Sequence, residues 1–338
     1  MASILKNKII FVTGGTGSFG KFFTKEALRL GAKKVIIFSR DEDKQYSMQF
    51  EFKEFKDRLE FIIGDVRDKS SIDKAVRGAK VDIFVHAAAL KQIPSTEYNI
   101  LEAVKTNVLG AQNVVDVVIE NKIPKAIGIT TDKVVEPVNA YGMTKALQEK
   151  IFTLGNKQSR DSKSKFACVR YGNVVNSRGS IIPLFKKQIE SGTPVTITNK
   201  DMTRFILTLQ EATNLVLNAI KNMKGGEVFV PKIKPIRIID LAIAMIDVLK
   251  PKNTKIVEIG IRPGEKIHET LISTPEWSYT KDFSSFYAIY PQIDLRGVGF
   301  KYNVITKSGT KVSKYTSDQG PFLNQKEILT ILKKEKII

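Results

Sequence analysis

The sequence predicts an α/β protein built on a doubly wound parallel sheet of the Rossmann type, with a smaller mixed α/β lobe, and three observations support this prediction. The first half of the chain alternates short apolar runs with amphipathic stretches. The apolar runs are continuous and rich in β-branched residues, which is typical of strands buried on both faces. A glycine-rich turn follows the first run and opens a helical pattern. Strand–helix alternation of this kind favours parallel pairing.

Six apolar runs supply the predicted strands. They are IIFVTGG (9–15), KVIIFSR (34–40), LEFIIGD (59–65), VDIFVHAAA (81–89), AIGITTD (126–132) and FACVRYG (166–172). Helical patterns lie between them, and the sequence becomes richer in proline, glycine and short elements after about residue 173. We therefore expect residues 1–173 to form a dinucleotide-binding domain that includes the Tyr141 helix. Residues 174–338 should form mainly a substrate lobe, with some chain returning to the first domain.

Composition narrows the class of protein. The chain has 338 residues, 42% hydrophobic and 26% charged, as in ordinary globular proteins. No apolar run reaches the ~20 residues of a membrane span, and the N-terminus runs directly into a strand pattern, so we expect a cytoplasmic protein. The net charge of +19 comes mainly from scattered lysines, which indicates a solvated surface and no nucleic-acid site. Cys168, the single cysteine, is expected to be a buried thiol, and two isolated histidines predict no metal site.

A glycine motif predicts where a dinucleotide binds. Gly14, Gly17 and Gly20 are spaced as GxxGxxG between the first strand and the following helix. Glycines there let the backbone turn tightly and approach a pyrophosphate, whose charge the helix N-terminus holds. The cofactor-binding residues predicted in this turn are Gly14, Thr16, Gly17, Ser18, Phe19 and Gly20.

The end of the second strand bears on the choice of cofactor. An NAD-preferring site usually has an acidic residue there, which binds the ribose 2′-hydroxyl. This chain instead has Ser39 and Arg40, with Lys44 a turn later. A hydroxyl and two cations suit a 2′-phosphate, so we expect NADP, while the nearby Asp41 leaves NAD open. Other predicted cofactor contacts follow the third and fourth strands: Asp65, Val66, Ala87, Ala88 and Ala89.

Residues with acid–base chemistry follow the fifth strand. Tyr141 and Lys145 have the YxxxK spacing, which places a phenol and an ammonium one helical turn apart on one face. A lysine ammonium near the phenol lowers its pKa, so that the phenolate can take a proton from an alcohol while hydride leaves the same carbon. Thr131 can hydrogen-bond the developing carbonyl. This pattern predicts an alcohol-oxidising site and leaves Asp132 and Lys133 without a role.

Six segments carry a resemblance to a known family: TGGTGSFGK, HAAALKQIPSTEYNILEAVKTNVLGAQNV, TTDKVVEPVNAYGMTK, RYGNVVNSRGSIIPLF, DMTRF and RPGEKIHETL. Through nearly the whole chain the sequence resembles the extended short-chain dehydrogenase/reductase superfamily. Within it, the chain looks like the UDP-N-acetylglucosamine 4,6-dehydratases, most closely the inverting enzymes of pseudaminic acid biosynthesis. Membrane-anchored retaining members typically have Met at the position of Tyr141, so Tyr141 favours the inverting type. Glu136 and Met143 depart from the Asn and Ala that are common in the family.

The resemblance implies a second acid–base pair. Tyr141 would take the proton of the sugar 4-hydroxyl as hydride passes to the cofactor. Lys133 would then remove the hydrogen on carbon 5, and Asp132 would protonate the departing 6-hydroxyl before the hydride returns to carbon 6. As a base, Lys133 needs a lowered pKa, from burial or from Lys145. The implied catalytic residues are Thr131, Asp132, Lys133, Tyr141 and Lys145.

The resemblance also places UDP-N-acetylglucosamine against the second lobe. Arginines suit its diphosphate because their planar fork binds two oxygens at once. The SRGS loop (177–180) is implied to contribute, whereas Asn107 is expected to be structural. A homo-oligomer formed through two long helices is a further implication. The implied substrate-binding residues are Lys91, Asn173, Ser180, Arg204, Arg262 and Glu265.

Other functions remain open. A retaining dehydratase, or an epimerase or ketoreductase of the same superfamily, would keep Tyr141 and Lys145. A plain epimerase or ketoreductase, however, would have no use for Asp132 and Lys133. A non-catalytic NADP sensor or a nucleic-acid-binding protein would account for the charge, but sensors of this fold generally lose the catalytic tyrosine.

Overall fold

A computed structural model describes residues 4–159, 163–177, 179–249, 254–293, 295 and 314–338. In order, the described strands are β1 (Ile9–Thr13), β2 (Lys34–Ser39), β3 (Leu59–Ile63), β4 (Ile83–His86), β5 (Lys125–Thr131), β6 (Lys165–Tyr171), β7 (Asn173–Val174), β8 (Val195–Ile197), β9 (Thr203–Leu207), β10 (Val228–Pro231), β11 (Pro235–Arg237), β12 (Ile256–Glu258), β13 (Thr270–Ile272), β14 (Thr280–Asp282), β15 (Phe286–Ile289) and β16 (Tyr315–Thr316).

The described helices are α1 (Ser18–Arg29), α2 (Glu42–Glu51), α3 (Lys69–Val76), α4 (Ile93–Tyr98), α5 (Ile100–Ala103), α6 (Gly110–Glu120), α7 (Ala140–Gln158), α8 (Ile181–Glu190), α9 (Leu209–Asn222), α10 (Ile238–Leu249), α11 (Thr274–Trp277) and α12 (Gln325–Lys334). A π-helical turn, Val104–Leu109, joins α5 to α6. Short 3₁₀ turns cover Lys53–Arg58 and Asp132–Val134.

The largest sheet has nine strands in the order β14-β15-β10-β6-β5-β4-β1-β2-β3. Every neighbouring pair from β3 to β10 is parallel. At the far edge β15 pairs antiparallel with β10, and β14 pairs antiparallel with β15. The order 3-2-1-4-5-6 is that of a dinucleotide-binding sheet. This confirms the predicted fold class, and all six predicted runs form strands.

Helices cover both faces of this sheet, which explains the uniformly apolar strands. On one face α1 and α9 pack together over a core that includes Ile10, Val12 and Phe23. On the other face α3, α6 and α7 pack over a core that includes Phe11, Phe84 and Phe152. Because neighbouring strand residues point to opposite faces, each strand needs apolar side chains at every position.

The second half of the chain builds a smaller assembly beside the carboxyl ends of the strands. Its pieces are the β11-β9-β7 sheet and the β8-β12 and β13-β16 pairs. Helices α8, α10 and α12 surround a third core that includes Phe185, Leu241 and Ile328. Strands β10, β14 and β15, although they come from this half, belong to the large sheet. Within the described part of the chain, no helix is both long and apolar enough to span a bilayer.

Candidate active site

A cleft of about 1030 Å³ opens at the carboxyl ends of the parallel strands. This is where ligands bind in open α/β sheets. Of the predicted site residues, only Asp132 is absent from its lining; that side chain is fully buried and bonded to Lys133. The predicted residues that line the cleft are Gly14, Thr16, Gly17, Ser18, Phe19, Gly20, Ser39, Arg40, Lys44, Asp65, Val66, Ala87, Ala88, Ala89, Lys91, Thr131, Lys133, Tyr141, Lys145, Asn173, Ser180, Arg204, Arg262 and Glu265.

The glycine turn after β1 has the shape of a dinucleotide cradle. Gly14 has φ +65°, and a β carbon there would lie 2.8 Å from the Ala88 backbone. At Gly20 a β carbon would lie 2.5 Å from the Cα of Gly15. A side chain at Gly14 would therefore push against the loop after β4, and one at Gly20 would push the start of α1 away from the glycine turn. The close backbone approach fits a pyrophosphate at the N-terminus of α1.

The cations predicted for a 2′-phosphate are already paired with carboxylates. Arg40 lies 3.5 Å from Asp65, and Lys44 contacts the carboxylate of Asp41, which also caps α2. Both cations are exposed enough to reach a ligand, because about half of the Arg40 side chain and 40% of the Lys44 side chain are accessible. The arrangement therefore accommodates a dinucleotide without distinguishing NADP from NAD.

The turn after β5 and the start of α7 form one packed unit. Thr131 caps the 3₁₀ turn, and Asn139 caps α7 by accepting a hydrogen bond from the Gly142 backbone. A β carbon at Gly142 would lie 2.2 Å from the carbonyl oxygen of Lys133. Only glycine lets the helix approach this turn so closely, which brings Tyr141 and Lys133 into one cleft. Glu136 in the intervening loop has φ +48°, a left-handed conformation that Asn adopts more readily.

Lys133 lies between two buried carboxylates. Its Nζ is 3.0 Å from Asp132 Oδ1 and 3.2 Å from Glu269 Oε1, and it donates a 3.4 Å hydrogen bond to Asn173. Thr131 donates a hydrogen bond to the same oxygen of Asp132, at 2.8 Å. Glu269 comes from the RPGEKIHETL segment, 136 residues further along the chain.

This environment contradicts the expected ionisation of Lys133. Burial lowers the pKa of the amine, but the carboxylates of Asp132 and Glu269 outweigh burial and hold that pKa above its usual range. Lys133 is therefore an ammonium here, not the neutral base that we predicted. Burial and the charge of Glu269 raise the pKa of Asp132 despite the opposing charge of Lys133.

Tyr141 and Lys145 line the same cleft, and their pairing for alcohol oxidation stays a prediction. Burial raises the pKa of Tyr141 to about 12, and the groups that oppose this rise are Lys133 and Thr131. Burial lowers the pKa of Lys145 to about 8. The Lys145 amine donates hydrogen bonds to the Ile129 carbonyl, at 2.6 Å, and to Gln148. In this structure the cation that lowers the phenol pKa is thus Lys133.

The residues predicted to bind substrate differ in how free they are. Arg204 is buried, and its guanidinium donates hydrogen bonds to the carbonyls of Thr203, Lys266 and Ile267. It therefore shapes the cleft wall as much as it faces a ligand. Nearly half of the Arg262 side chain is exposed, 3.9 Å from Glu265. Ser177, Gly179 and Ser180 of the SRGS loop line the cleft, whereas Arg178 lies outside the described residues.

Asn107 has the structural role that was expected of it. Its side chain accepts a hydrogen bond from the Leu90 amide and donates to the Leu90 carbonyl, each at 2.9 Å. It also donates to Thr144 of α7. Asn107 lies in the π-helical turn, and such turns often mark functional regions. The residue fixes the loop after β4 against the helix that carries Tyr141.

One residue of the cleft, and one ionic network packed behind it, were missed in the sequence. Glu269 was missed because its partners are distant in the chain. In the buried network, Arg170 pairs with Glu149 and Glu276 at 2.7 Å, and Thr130 donates to Glu149. Arg170 stands in the quoted RYGNV segment, and Glu149 lies one helical turn after Lys145, so the spacing was visible although the partners were not.

Comparison with known proteins agrees with this geometry. Residues 10–291 match the polysaccharide biosynthesis protein family. The chain belongs to this family. A UDP-N-acetylglucosamine 4,6-dehydratase (inverting) from Campylobacter jejuni is 43% identical over 97% of this chain and 98% of its own length. The similarity to this dehydratase therefore extends over nearly the whole chain. The fold is that of the extended short-chain dehydrogenase/reductase superfamily.

Other members of the family carry different names. A UDP-glucose 4-epimerase from Rickettsia akari is 42% identical, over 96% of this chain and 95% of its own length. Among solved structures, the X-ray structure of Pen from Bacillus thuringiensis has a TM-score of 0.88 and 34% identity, covering 98% of this chain and 99% of the other. The family and fold are therefore shared by proteins named as dehydratases and as epimerases.

Proposed function

We propose that the protein is a UDP-N-acetylglucosamine 4,6-dehydratase that inverts carbon 5. The observation that carries the proposal is the position of Lys133. It lies against Asp132 in the same cleft as Tyr141. The cleft thereby holds a phenol for oxidising an alcohol and an amine for moving the elements of water, and the carboxyl partner of that amine lies buried directly behind it. An epimerase needs the first of these and not the second.

In the proposed reaction Tyr141 accepts the proton of the sugar 4-hydroxyl, and Thr131 hydrogen-bonds the oxygen that becomes a ketone. A bound nicotinamide dinucleotide supplies the hydride acceptor and returns the hydride. The ketone acidifies the hydrogen on carbon 5. The Lys133 ammonium first passes a proton to the Asp132 carboxylate, 3.0 Å away; the neutral amine then removes the hydrogen on carbon 5, and Asp132 gives its proton to the departing 6-hydroxyl. After the hydride returns to carbon 6, carbon 5 takes up a proton on the opposite face. Asp132 suits this acid role because burial raises its pKa, so that it can accept a proton from Lys133 and pass it on.

NADP is the proposed cofactor, with NAD as the alternative. The support for NADP is the absence of an acid at the end of β2, where Ser39 is followed by Arg40. Titrating the protein with each dinucleotide, and repeating the titration with Arg40→Ala, separates the two. We expect Arg40→Ala to weaken binding of NADP much more than binding of NAD. Equal losses for both cofactors would contradict the proposal.

We further propose that the protein is a homo-oligomer and that it is cytoplasmic. The pathway that the resemblance implies for its product is pseudaminic acid synthesis. Exposed leucines on neighbouring helices support the oligomer: 73% of Leu101, 53% of Leu109 and 52% of Leu147 are accessible. Apolar side chains on adjacent exposed helices favour burial against a partner. Cys168 is buried and unpaired, which suits a reducing compartment.

One experiment tests the function directly. The protein is incubated with UDP-N-acetylglucosamine and NADP in deuterated water, and the product is analysed by mass spectrometry and proton NMR. We expect loss of one water, deuterium at carbon 5 and an inverted ring configuration. Loss of water without inversion would indicate a retaining dehydratase. An unchanged chemical composition with altered carbon 4 would indicate the epimerase activity for which the Rickettsia relative is named.

A further inference from the structure

Glu269 is a buried carboxylate at the site for which the proposed reaction has no role. It precedes β13, and only 2% of the residue is exposed. Its Oε1 lies 3.2 Å from Lys133 Nζ, and the residue lines the same cleft as Lys133 and Tyr141. Burying a carboxylate is costly unless it is paired, so the position requires an explanation beyond surface solvation.

The backbone amide and carbonyl of Glu269 are both hydrogen-bonded to residues at the end of β16. Its amide donates to the Ser317 hydroxyl at 2.8 Å, and its carbonyl accepts from the Ser317 amide at 2.8 Å. The Thr316 hydroxyl also donates to this carbonyl. These contacts belong to the pairing of β13 with β16. The carboxylate is therefore presented to Lys133 by a rigid element of the second lobe, with little freedom to move away.

Charged groups from four elements face this carboxylate and its partner. Asp132 and Lys133 come from the turn after β5, and Tyr141 comes from α7. From the second lobe, Arg204 Nε lies 4.0 Å from Glu269 Oε1 and Lys266 Nζ lies 3.6 Å from Oε2. Within the described residues, Oε2 accepts no hydrogen bond. The carboxylate thus has one oxygen committed to Lys133 and the other held by charge alone.

We propose that Glu269 is a positioning residue for the elimination: it clamps the Lys133 amine between two carboxylates and sets the charge state in which Asp132 and Lys133 exchange protons with the sugar. This inference rests on the proposed dehydratase function. It gives the second lobe a part in the chemistry, since Asp132 and Lys133 lie in the turn after β5 of the large sheet, whereas Glu269 comes from the second half of the chain.

The electrostatics agree with this geometry. The charge of Glu269 raises the pKa of both Asp132 and Lys133. Burial raises the pKa of Glu269 itself, but Lys133, Arg204 and Lys266 outweigh burial and keep it below its usual range. Glu269 is consequently the group that stays ionised. Removing its charge favours the deprotonated forms of both neighbours.

The test is the pH profile of deuterium uptake at carbon 5 in the full-length enzyme and in Glu269→Gln. Loss of a negative charge lowers the pKa of each neighbouring acid or base. Every limb of the pH profile, acidic or basic, that is set by the ionisation of Asp132 or Lys133 should therefore move to lower pH, by about 1 unit or more. Glu269→Asp keeps the charge but withdraws it from Lys133, and its limbs should move in the same direction by less. This second variant also carries the test if Glu269→Gln does not fold.

A matched control separates charge from stability. Glu276→Gln removes a partly buried carboxylate of α11, bonded to Arg170 instead of Lys133. It should lower the melting temperature without moving either limb. If the pH profiles of both Glu269 variants had the same apparent pKa values as the wild type, the inference would be overturned. It would also be overturned if Glu276→Gln shifted those apparent pKa values as much as the Glu269 variants do. A wild-type enzyme that releases no water would instead refute the proposed function.

Discussion

Lys133 is the residue on which the proposed elimination depends, and it can be changed without touching the glycine cradle. In Lys133→Gln we expect deuterium uptake at carbon 5 to fall by about 10²-fold or more, since the variant loses a proton-transferring group. Binding of the dinucleotide should survive. Oxidation of carbon 4 should become slower, because the charge of Lys133 lowers the pKa of Tyr141, but it should not be lost. Substrate should therefore still reduce the bound cofactor, which is visible as near-ultraviolet absorbance.

Tyr141→Phe is the matched variant for the other half of the reaction. It removes the phenol hydroxyl but keeps the ring, so cofactor reduction should be lost together with water release. The two variants should therefore stop at different stages. If Lys133→Gln released water at the normal rate, the assignment of this lysine to the elimination would be wrong.

His86 should limit the stability of the protein in acid. It is fully buried, its Nδ1 is paired with the Thr13 hydroxyl at 2.8 Å, and its ring stacks on Phe152. Burial, with a contribution from Lys145, lowers its pKa to about 3. Below the unfolded value of about 6.5, the unfolded chain binds a proton that the folded protein refuses. Stability should therefore fall as the pH drops from 6.5 towards 3.

The size of this effect follows from the shift. Each pKa unit corresponds to about 1.4 kcal/mol, so roughly 2 kcal/mol should be lost between pH 6.5 and 4.5 through His86 alone. Denaturant unfolding of the wild type and of His86→Asn over this range measures it. The variant should be less stable at pH 7 but show a flatter dependence. Parallel curves for the two proteins would assign the acid sensitivity to other groups.

At the scale of elements, the contact between α7 and the turn after β5 depends on Gly142. Gly142→Ala would place a methyl carbon 2.2 Å from the Lys133 carbonyl oxygen, so the helix or the turn must shift by about 1 Å. Because a misplacement of this size can cost about 10²-fold in rate, we expect a comparable loss of turnover. Steady-state kinetics with the nucleotide-sugar would measure it.

Gly155→Ala in the same helix is the control. There a β carbon would meet side-chain atoms of Val115 and Phe166 at 3.1 Å, which can adjust. Alanine also favours the helix relative to glycine. We expect turnover close to wild type. Equal losses of turnover in both variants would mean that alanine is unfavourable at either glycine of α7, and that the close contact at Gly142 is not the cause.

The same comparison shows what the sequence could and could not reveal about the site. Local patterns sufficed for β1 to β6, the glycine turn and the YxxxK helix, because each is defined by residues close together in the chain. Ionisation was predicted wrongly because it depends on distant partners. Burial lowers the pKa of Lys133, the adjacent Asp132 raises it, and Glu269 adds to the rise from 136 residues away, a contact that no spacing rule contains.

At the scale of the molecule, long-range returns of the chain were equally difficult to place. The second half was expected to send some chain back to the first domain, and β10, β14 and β15 do join the large sheet. Which segments return could not be predicted, because short apolar runs such as VFVP look alike in either lobe. Arg170 on β6 then bonds to Glu276 beside this returning chain, so the two halves share one buried ionic network.

Assembly is the last property of the whole molecule that the structure makes testable. Leu101 and Leu109 lie on the helical stretch from α5 to α6, Leu147 lies on α7, and α6 packs beside α7. All three leucines are more than half exposed. Placing a charge at such a position strongly opposes its burial against a partner. We expect Leu101→Glu with Leu147→Glu to convert an oligomer into monomers, measured by light scattering at several concentrations.

The control for this experiment is an exposed apolar residue elsewhere. Ile259 follows β12 on the second lobe and is 47% exposed. Ile259→Glu should leave the oligomeric state unchanged, because it lies outside the leucine-bearing helices. Since α7 also carries Tyr141 and Lys145, the paired leucine variant should lose some turnover as well as its partner. If the wild-type protein were monomeric at all concentrations, or if the paired leucine variant had the same oligomeric state as the wild type, these helices would not form the interface.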